Sequence, residues 1–257
     1  MSQYTTWGWT LALLMARIGG LFVIAPVFSS SVLPARLRYL LCVALALGAA
    51  AQIATPLAMP VSTGAGLVAL AVEALIGSVI GLAARALLSG IEVAAALIGQ
   101  QMGLTLGQVY YADAADGEGG DDPLTRLMYL LGIVVFLAVG GHRGLLSGLM
   151  GTFTAVAPGA IGSGQGMLNI AMSVLAASFV MAIKIAAPVV VTLLVIGVVL
   201  AVVGRTMPQL NILTVGLPAQ ALVGLIALAG GLALMLPMIE RGADMLGAKA
   251  AQLAAGG

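Results

Sequence analysis

Five charged side chains lie inside long apolar stretches, and they are the residues whose types could do chemistry there: Arg17, Glu73, Arg85, Glu92 and Lys184. A charge at the centre of a bilayer costs about 2.5–3.5 kcal/mol on insertion scales, so each of them must face protein or water. One interpretation is a proton or ion relay, in which Glu73 and Glu92 supply the carboxylates and Lys184 is a partner. The other is pairing between helices, or contact with further subunits of an assembly.

Elsewhere the sequence offers no catalytic or metal-binding pattern. The sole histidine, His142, stands in the stretch GGHRG without a neighbouring cysteine or acid. The single cysteine, Cys42, lies in an apolar run, so the chain can form neither an internal disulfide nor a cysteine-based metal site. Nucleophile elbows, phosphate-binding loops and metal-spaced His/Glu pairs are absent from the sequence. We therefore expect no catalytic residue, metal or cofactor.

The most polar stretch of the chain is 100–126, and it is also the most acidic. Five of the nine acidic residues fall within ten positions there, and these are Asp113, Asp116, Glu118, Asp121 and Asp122. Glycines and Pro123 accompany them, as in turns and solvated connections. From composition alone this segment is interpreted as a surface connection between two apolar blocks.

Composition restricts the class of protein that can carry these residues. The chain is 61% hydrophobic and 7% charged, with a mean hydropathy of +1.17, whereas soluble domains carry about 25% charged residues. The sequence therefore predicts an integral membrane protein. A formal net charge of +1 argues against a nucleic-acid partner. Residues 7–28 lack a basic n-region and a cleavage site, so we interpret them as a retained segment.

The chain contains about six apolar blocks of helical character that must position these residues. This pattern predicts an all-α, polytopic fold. The blocks cover 7–27, 36–54, 64–103, 124–157, 167–204 and 210–238, and a helical tail follows at 239–257. Two of the blocks are overlong, because a straight helix over 64–103 would measure about 60 Å against a hydrocarbon core of about 30 Å. We expect such runs to fold back as hairpins or to extend beyond the bilayer.

Several stretches, taken in chain order, carry a resemblance to a known family. They are RIGGLFVIAPVFSSSVLPARLRYLL (17–41), EALIGSVIGL (73–82), GQQMGLT (99–105), FLAVGGHRGLL (136–146) and GRTMPQLNILTVGLPAQ (204–220). Together they resemble the flagellar biosynthesis protein R family (FliR), a component of type III export gates. The motif residues that match are Arg17, Pro26, Pro34, Gln101, His142, Pro208, Gln209, Asn211 and Pro218.

The resemblance implies a non-enzymatic subunit of the flagellar export gate, which helps form the pore through which unfolded flagellar proteins cross the inner membrane. It implies one gate domain over 1–257, with a P-like helical part over about 1–205 and a part from about 206 that completes a Q-like hairpin. The implied partners are the flagellar P and Q proteins, the B-type switch protein, gate components linked to the export ATPase, exported polypeptides and membrane lipid.

The implied location is the bacterial inner membrane, as a multi-pass protein of the flagellar basal body. Injectisome homologues share this architecture and are the near alternative. A proton-coupled secondary transporter is the alternative from another class.

The resemblance also implies roles for two groups of residues. The segment after the Gln-Met-Gly turn resembles the plug that closes the channel from within, and its sealing residues would be Met102, Gly103, Leu104, Leu106, Gly107, Val109, Tyr110 and Tyr111. Four charges in apolar runs would be buried when the gate assembles, and these are Glu73, Arg85, Glu92 and Lys184.

Overall fold

The computed structural model describes residues 2–29, 33–51, 53, 56–104, 122–159, 164–207 and 212–254. In these ranges the chain forms eight α-helices and no strand. They are α1 (Ser2–Ile24), α2 (Pro26–Ser29), α3 (Ala35–Ala50), α4 (Thr63–Gln101), α5 (Pro123–Ala138), α6 (Gly141–Ala155), α7 (Gly164–Thr206) and α8 (Ile212–Ala254).

Among the helices of the described ranges, four are long and apolar enough to cross a membrane. The spans are Tyr4–Ile24, Thr63–Gln101, Ala171–Thr206 and Thr214–Gly231. The pair α5 and α6 adds a fifth if it is one broken span, because the two helices meet at an angle of 63°. The prediction of an all-α membrane protein is therefore confirmed.

The break between α5 and α6 lies at the glycine-rich stretch that the sequence marks. Gly140 has φ +81°, a left-handed conformation that L side chains rarely adopt. Its carbonyl accepts hydrogen bonds from the N–H groups of Arg143 (2.8 Å) and Gly144 (3.2 Å), which start α6. The glycine thus ends one helix and begins the next within a few residues.

Of the two alternatives predicted for the overlong blocks, folding back as hairpins is wrong. The 39 residues of α4 and the 43 residues of α7 each form one uninterrupted helix. Pro188 inside α7 does not end that helix, and its carbonyl accepts a bond of 2.8 Å from the Thr192 hydroxyl one turn later. At about 1.5 Å per residue both helices measure about 60 Å, so they are longer than the hydrocarbon core of about 30 Å.

The chain divides into two compact units that share helices. Unit 1 contains residues 1–87, 137–176 and 242–257, and unit 2 contains residues 88–136 and 177–241. The boundary at 87/88 lies inside α4, so this helix contributes its first part to unit 1 and its second part to unit 2. The assignment of 1–205 as P-like and 206–257 as completing a Q-like hairpin stays a prediction.

The core of unit 1 is organised by a close crossing of α1 and α4. A Cβ atom added at Gly77 would meet the backbone carbonyl of Arg17, and one added at Gly20 would meet that of Ala74. At Gly81 the added atom would lie 3.0 Å from the Leu21 carbonyl oxygen. The small residues let the two backbones touch, as in membrane helix pairs generally. Buried apolar residues of α1 fill the surrounding space, and they are Leu13, Leu14, Ile18, Leu21 and Phe22.

Candidate functional site

The polar centre of unit 1 is Arg17, which lies on α1 and is fully buried. Its guanidinium forms a bidentate ion pair with Glu73 on α4. The Nε atom lies 2.5 Å from Oε2, and Nη2 lies 3.0 Å from Oε1. Glu73 is also fully buried, so water reaches neither charge. Parallel two-bond contact of this kind is the strongest geometry for an arginine and a carboxylate.

The remaining donors of Arg17 bond to α6 and to the chain just after it. Nη1 donates to the carbonyl oxygen of Thr152 (2.9 Å) and to its hydroxyl (3.2 Å). Nη2 donates to the carbonyl oxygen of Val156 at 3.2 Å. A guanidinium has five N–H donors, and five acceptor contacts are present. The Phe153 ring adds a cation–π contact, with its centroid 4.7 Å from the guanidinium carbon.

Both oxygens of the Glu73 carboxylate also accept hydrogen bonds. Its Oε1 atom accepts a second hydrogen bond from the backbone N–H of Gly159 at 2.8 Å. The network is therefore charge-neutral and hydrogen-bonded on both sides, and it ties α1, α4, α6 and residues 156–159 together. Such an arrangement suits structural cohesion, because a buried pair is tolerated only when its remaining hydrogen-bonding groups are satisfied.

The sequence marks Arg17 and Glu73 as two of five charges in apolar runs, and pairing between helices is one of the two interpretations given for them. It does not indicate which of the five charges pair with each other. The available signal was that two charges of opposite sign stand in separate apolar helices, where each requires a partner. Thr152 and Gly159 carry no comparable signal, because one contributes its hydroxyl and carbonyl and the other a backbone N–H.

The other charges in apolar runs have different surroundings. Arg85 and Lys184 are exposed, and Glu92 is half-buried with an interaction of its own. Glu73 belongs to unit 1, whereas Glu92 and Lys184 belong to unit 2. Over the described ranges no group of three or more His, Cys, Asp or Glu residues could hold a metal ion.

In unit 2, the end of α4 packs tightly against α8. Gly103 has φ +75°, and its N–H bonds to the Gln100 carbonyl at 3.2 Å, which closes the helix. A Cβ atom at Gly103 would lie 2.6 Å from the Leu217 side chain. The Met102 side chain is buried against Gly224, where an added Cβ would lie 2.6 Å from Met102 Cγ. A side chain at either glycine would force Leu217 or Met102 to shift, and the positive φ of Gly103 additionally disfavours other residues there.

The start of α5 returns to the same end of α4. The Asp122 carboxylate accepts a hydrogen bond from the Leu124 N–H at 3.3 Å, as an N-cap residue does. Its other oxygen lies over Gly99, so that a Cβ added there would be 2.5 Å away. Gly103 and Asp122, which flank the acidic segment in the described ranges, therefore both lie at this end of α4.

The predicted sealing residues lie only partly in the described ranges. Met102 is buried, while Gly103 and Leu104 are half-buried. The others lie outside the described residues, and these are Leu106, Gly107, Val109, Tyr110 and Tyr111.

The motif residues are spread over several elements. Pro26 begins α2 and is buried, and Pro34 precedes the first residue of α3. Gln101 is the last residue of α4, and Pro218 lies inside α8. His142 is half-buried at the start of α6, and its Nδ1 atom has no hydrogen-bond partner in the described part of the chain. Three further motif residues lie outside the described ranges, and they are Pro208, Gln209 and Asn211.

Comparison with known proteins places these features in a family context. The family model of bacterial export proteins, family 1, matches residues 9–246. The flagellar biosynthetic protein FliR of Aquifex aeolicus is 31% identical, over 90% of this chain and 86% of its own. The proteins of the same name are 31% identical in Pectobacterium carotovorum (90% and 85% covered) and 30% identical in Bacillus subtilis (84% and 83% covered).

Proposed function

The chain belongs to family 1 of the bacterial export proteins, and on that premise we propose that it is a membrane component of the flagellar protein export apparatus. The observation that carries the proposal is the match over 9–246, which covers most of unit 1, all of unit 2 and most or all of each membrane-length helix in the described ranges. Within the apparatus the chain forms part of the pore through which unfolded flagellar proteins cross the inner membrane. It acts there as a structural subunit and not as an enzyme.

The proposed pore seal is the segment that follows α4. Its support is the geometry of its two ends, because Gly103 turns the chain out of α4 and Asp122 brings it back beside Gly99. Met102, buried against Gly224, acts as the fixed anchor of the segment. The residues that follow act as the seal, and these are Leu104, Leu106, Gly107, Val109, Tyr110 and Tyr111.

The proposed partners are the flagellar P and Q proteins, the B-type switch protein and ATPase-linked gate components. Exposed apolar surface supports association with other membrane proteins. In an apolar stretch of 18 residues from each span, only 22% of the residues of Ala171–Thr206 and 17% of those of Thr214–Gly231 are buried within the chain, compared with 44% for Tyr4–Ile24. The proposed location is the flagellar basal body in the inner membrane, with lipid around the assembly.

The two alternative functions are less well supported. An injectisome homologue would have the same architecture, and neighbouring genes for flagella or for secretion distinguish the two. A proton-coupled transporter would require Glu73 to exchange protons. Both oxygens of that carboxylate are occupied, by Arg17 and by the Gly159 N–H, which leaves it poorly placed for a relay.

Deletion of residues 106–120 tests the proposed pore role. In cells that carry only the shortened chain, we expect the membrane assembly to be retained and the membrane to leak ions and small solutes. The matched control neutralises the acids without shortening the segment, through Asp113→Asn, Asp116→Asn and Glu118→Gln, and we expect it to remain tight. An assembled deletion variant that holds ions as well as the wild type would reduce the segment to a plain connection. A wild-type chain that purifies as a stable monomer and transports ions would contradict the gate role itself.

A further inference from the structure

One face of α7 in unit 2 presents an apolar stripe interrupted by a single cation. Residues separated from Lys184 by about a whole number of helical turns, up to about five, share its face. All of them are exposed, and they are Val180, Lys184, Ala187, Pro188, Val191, Val195, Val198 and Val202. We name this set the Lys184 stripe. Among the described residues, no hydrogen bond or ion pair involves the Lys184 side chain.

Lipid alone does not account for this surface. Exposed apolar side chains continue on both sides of Lys184, from Leu168 to Val203. If Lys184 lies within the hydrocarbon, its ammonium has no partner there. If it lies at the membrane boundary, then 168–183 or 185–203 lies outside the bilayer and exposes apolar surface to water. In every placement some part of the helix requires protein contact.

The charge indicates what that protein contact must contain. The Arg17 and Glu73 charges neutralise each other inside unit 1, whereas the Lys184 charge is left on the surface of the chain. An ammonium that becomes buried in an apolar interface requires a carboxylate, because an unpaired buried charge is strongly unfavourable. The stripe is otherwise made of short side chains, which allow a neighbouring helix to approach closely.

We propose that the Lys184 stripe binds an apolar helix of a partner subunit, and that this helix presents an Asp or Glu carboxylate to the Lys184 ammonium. The inference rests on the proposed role in a membrane assembly and assigns one surface and one charge pair to it. It also gives different roles to two of the four charges that the sequence analysis assigned to gate assembly. Glu73 acts within the chain, and Lys184 acts between chains.

The chain is well suited to a direct chemical test, because Lys184 and Lys249 are its only lysines. The assembly is isolated from native membranes through a tag on the full chain and is treated with a membrane-permeant carbodiimide. This reagent joins an amine to a carboxylate that touches it, with loss of water. We expect mass spectrometry to find an isopeptide between Lys184 and an Asp or Glu within an apolar segment of another chain. The variant Lys184→Arg keeps the positive charge and should assemble without forming this product.

Variants measure how much the charge pair contributes to assembly. We expect Lys184→Glu to lower the amount of co-purified partner about tenfold or more, since the substitution breaks a desolvated charge pair and places two carboxylates against each other. The control Phe179→Met removes volume from an exposed position on another side of α7 and should leave co-purification unchanged. Replacing the cross-linked partner carboxylate by lysine should restore binding to the Lys184→Glu chain.

The possible failures are distinguishable. A wild-type chain recovered from membranes without any partner would overturn both this inference and the proposed function. Partners that are retained equally by Lys184→Glu and by the wild type, together with an unlinked Lys184, would overturn only the inference. In that case the ammonium reaches lipid headgroups at the membrane surface.

Discussion

At Arg17 a charge stands where water does not reach, and the residues around it determine whether that charge is tolerated. Its five donors meet Glu73, Thr152 and Val156. A buried pair of this kind contributes little net stability relative to an apolar replacement, but removing one partner leaves an uncompensated charge. The network therefore matters to stability mainly because losing one partner would leave an unpaired buried charge, which is strongly unfavourable.

Replacing Glu73 by glutamine is the clearest residue-level prediction. The substitution keeps the side-chain size and leaves the Arg17 charge buried without a counter-charge. We expect the free energy of unfolding to fall by about 3–5 kcal/mol, the usual cost of breaking a buried pair from one side. Titration of the purified chain with a denaturing detergent in mixed micelles measures this quantity.

The control for Glu73→Gln lies on the same helix. Arg85 is charged but exposed, so Arg85→Gln should change the free energy of unfolding by no more than about 0.5 kcal/mol. The double variant Arg17→Met with Glu73→Met should recover most of the loss, because it removes both charges together. Equal stability of Glu73→Gln and Arg85→Gln would contradict the structural role of the pair.

Part of this network is predictable from the sequence. The charges of Arg17 and Glu73 stand out, because each lies in an apolar helix and must be covered. Their pairing could not be deduced, since Glu92, Arg85 and Lys184 offered competing partners. Thr152 and Gly159 could not be found from the sequence. Backbone groups carry no sequence signature, and one threonine hydroxyl in an apolar helix does not stand out.

At the scale of elements, the contact between α1 and α4 depends on glycine. A Cβ at Gly77 would overlap the Arg17 backbone carbonyl, and backbone cannot move aside as a flexible side chain can. We expect Gly77→Ala to separate the two helices and lower the free energy of unfolding by about 1–3 kcal/mol, as overpacking typically does. The same detergent titration measures the loss.

A second glycine provides the comparison for Gly77→Ala. Gly48 on α3 is exposed and has open space at its Cβ position. Gly48→Ala should therefore stabilise the chain by up to about 1 kcal/mol, through the higher helix propensity of alanine alone. If both variants were stabilised alike, α1 and α4 would not be in backbone contact.

Helix positions follow from hydropathy, but helix shape does not. The apolar blocks locate α1, α4 and α7, and the glycines around Gly140 locate the bend between α5 and α6. A long apolar run carries the same hydropathy whether it is straight or folded back. The hairpin prediction for 64–103 is wrong for this reason. The glycines inside the helix serve close contacts and do not form turns, and these are Gly77, Gly81, Gly90 and Gly99.

At the scale of the whole molecule, each unit is assembled from segments that are distant in sequence. In unit 1, Arg17 binds Thr152, which is 135 residues further along the chain. In unit 2, the backbone of Gly90 lies against that of Ser178, since a Cβ there would be 2.6 Å from the Ser178 carbonyl oxygen. Contacts of this kind join the parts of the chain before and after residues 105–121 in both units.

This arrangement predicts that the chain survives a cut between Ala112 and Asp113. Fragments 1–112 and 113–257, expressed together with a tag on one of them, should be inserted and should co-purify. The contacts of Arg17 and Glu73 with Thr152 and Gly159, and of Gly90 with Ser178, all link one fragment to the other. Introducing Glu73→Gln into the first fragment should reduce recovery of the second, whereas Arg85→Gln should not. Fragments that insert but never associate would show that the covalent connection, and not these contacts, holds the two parts together.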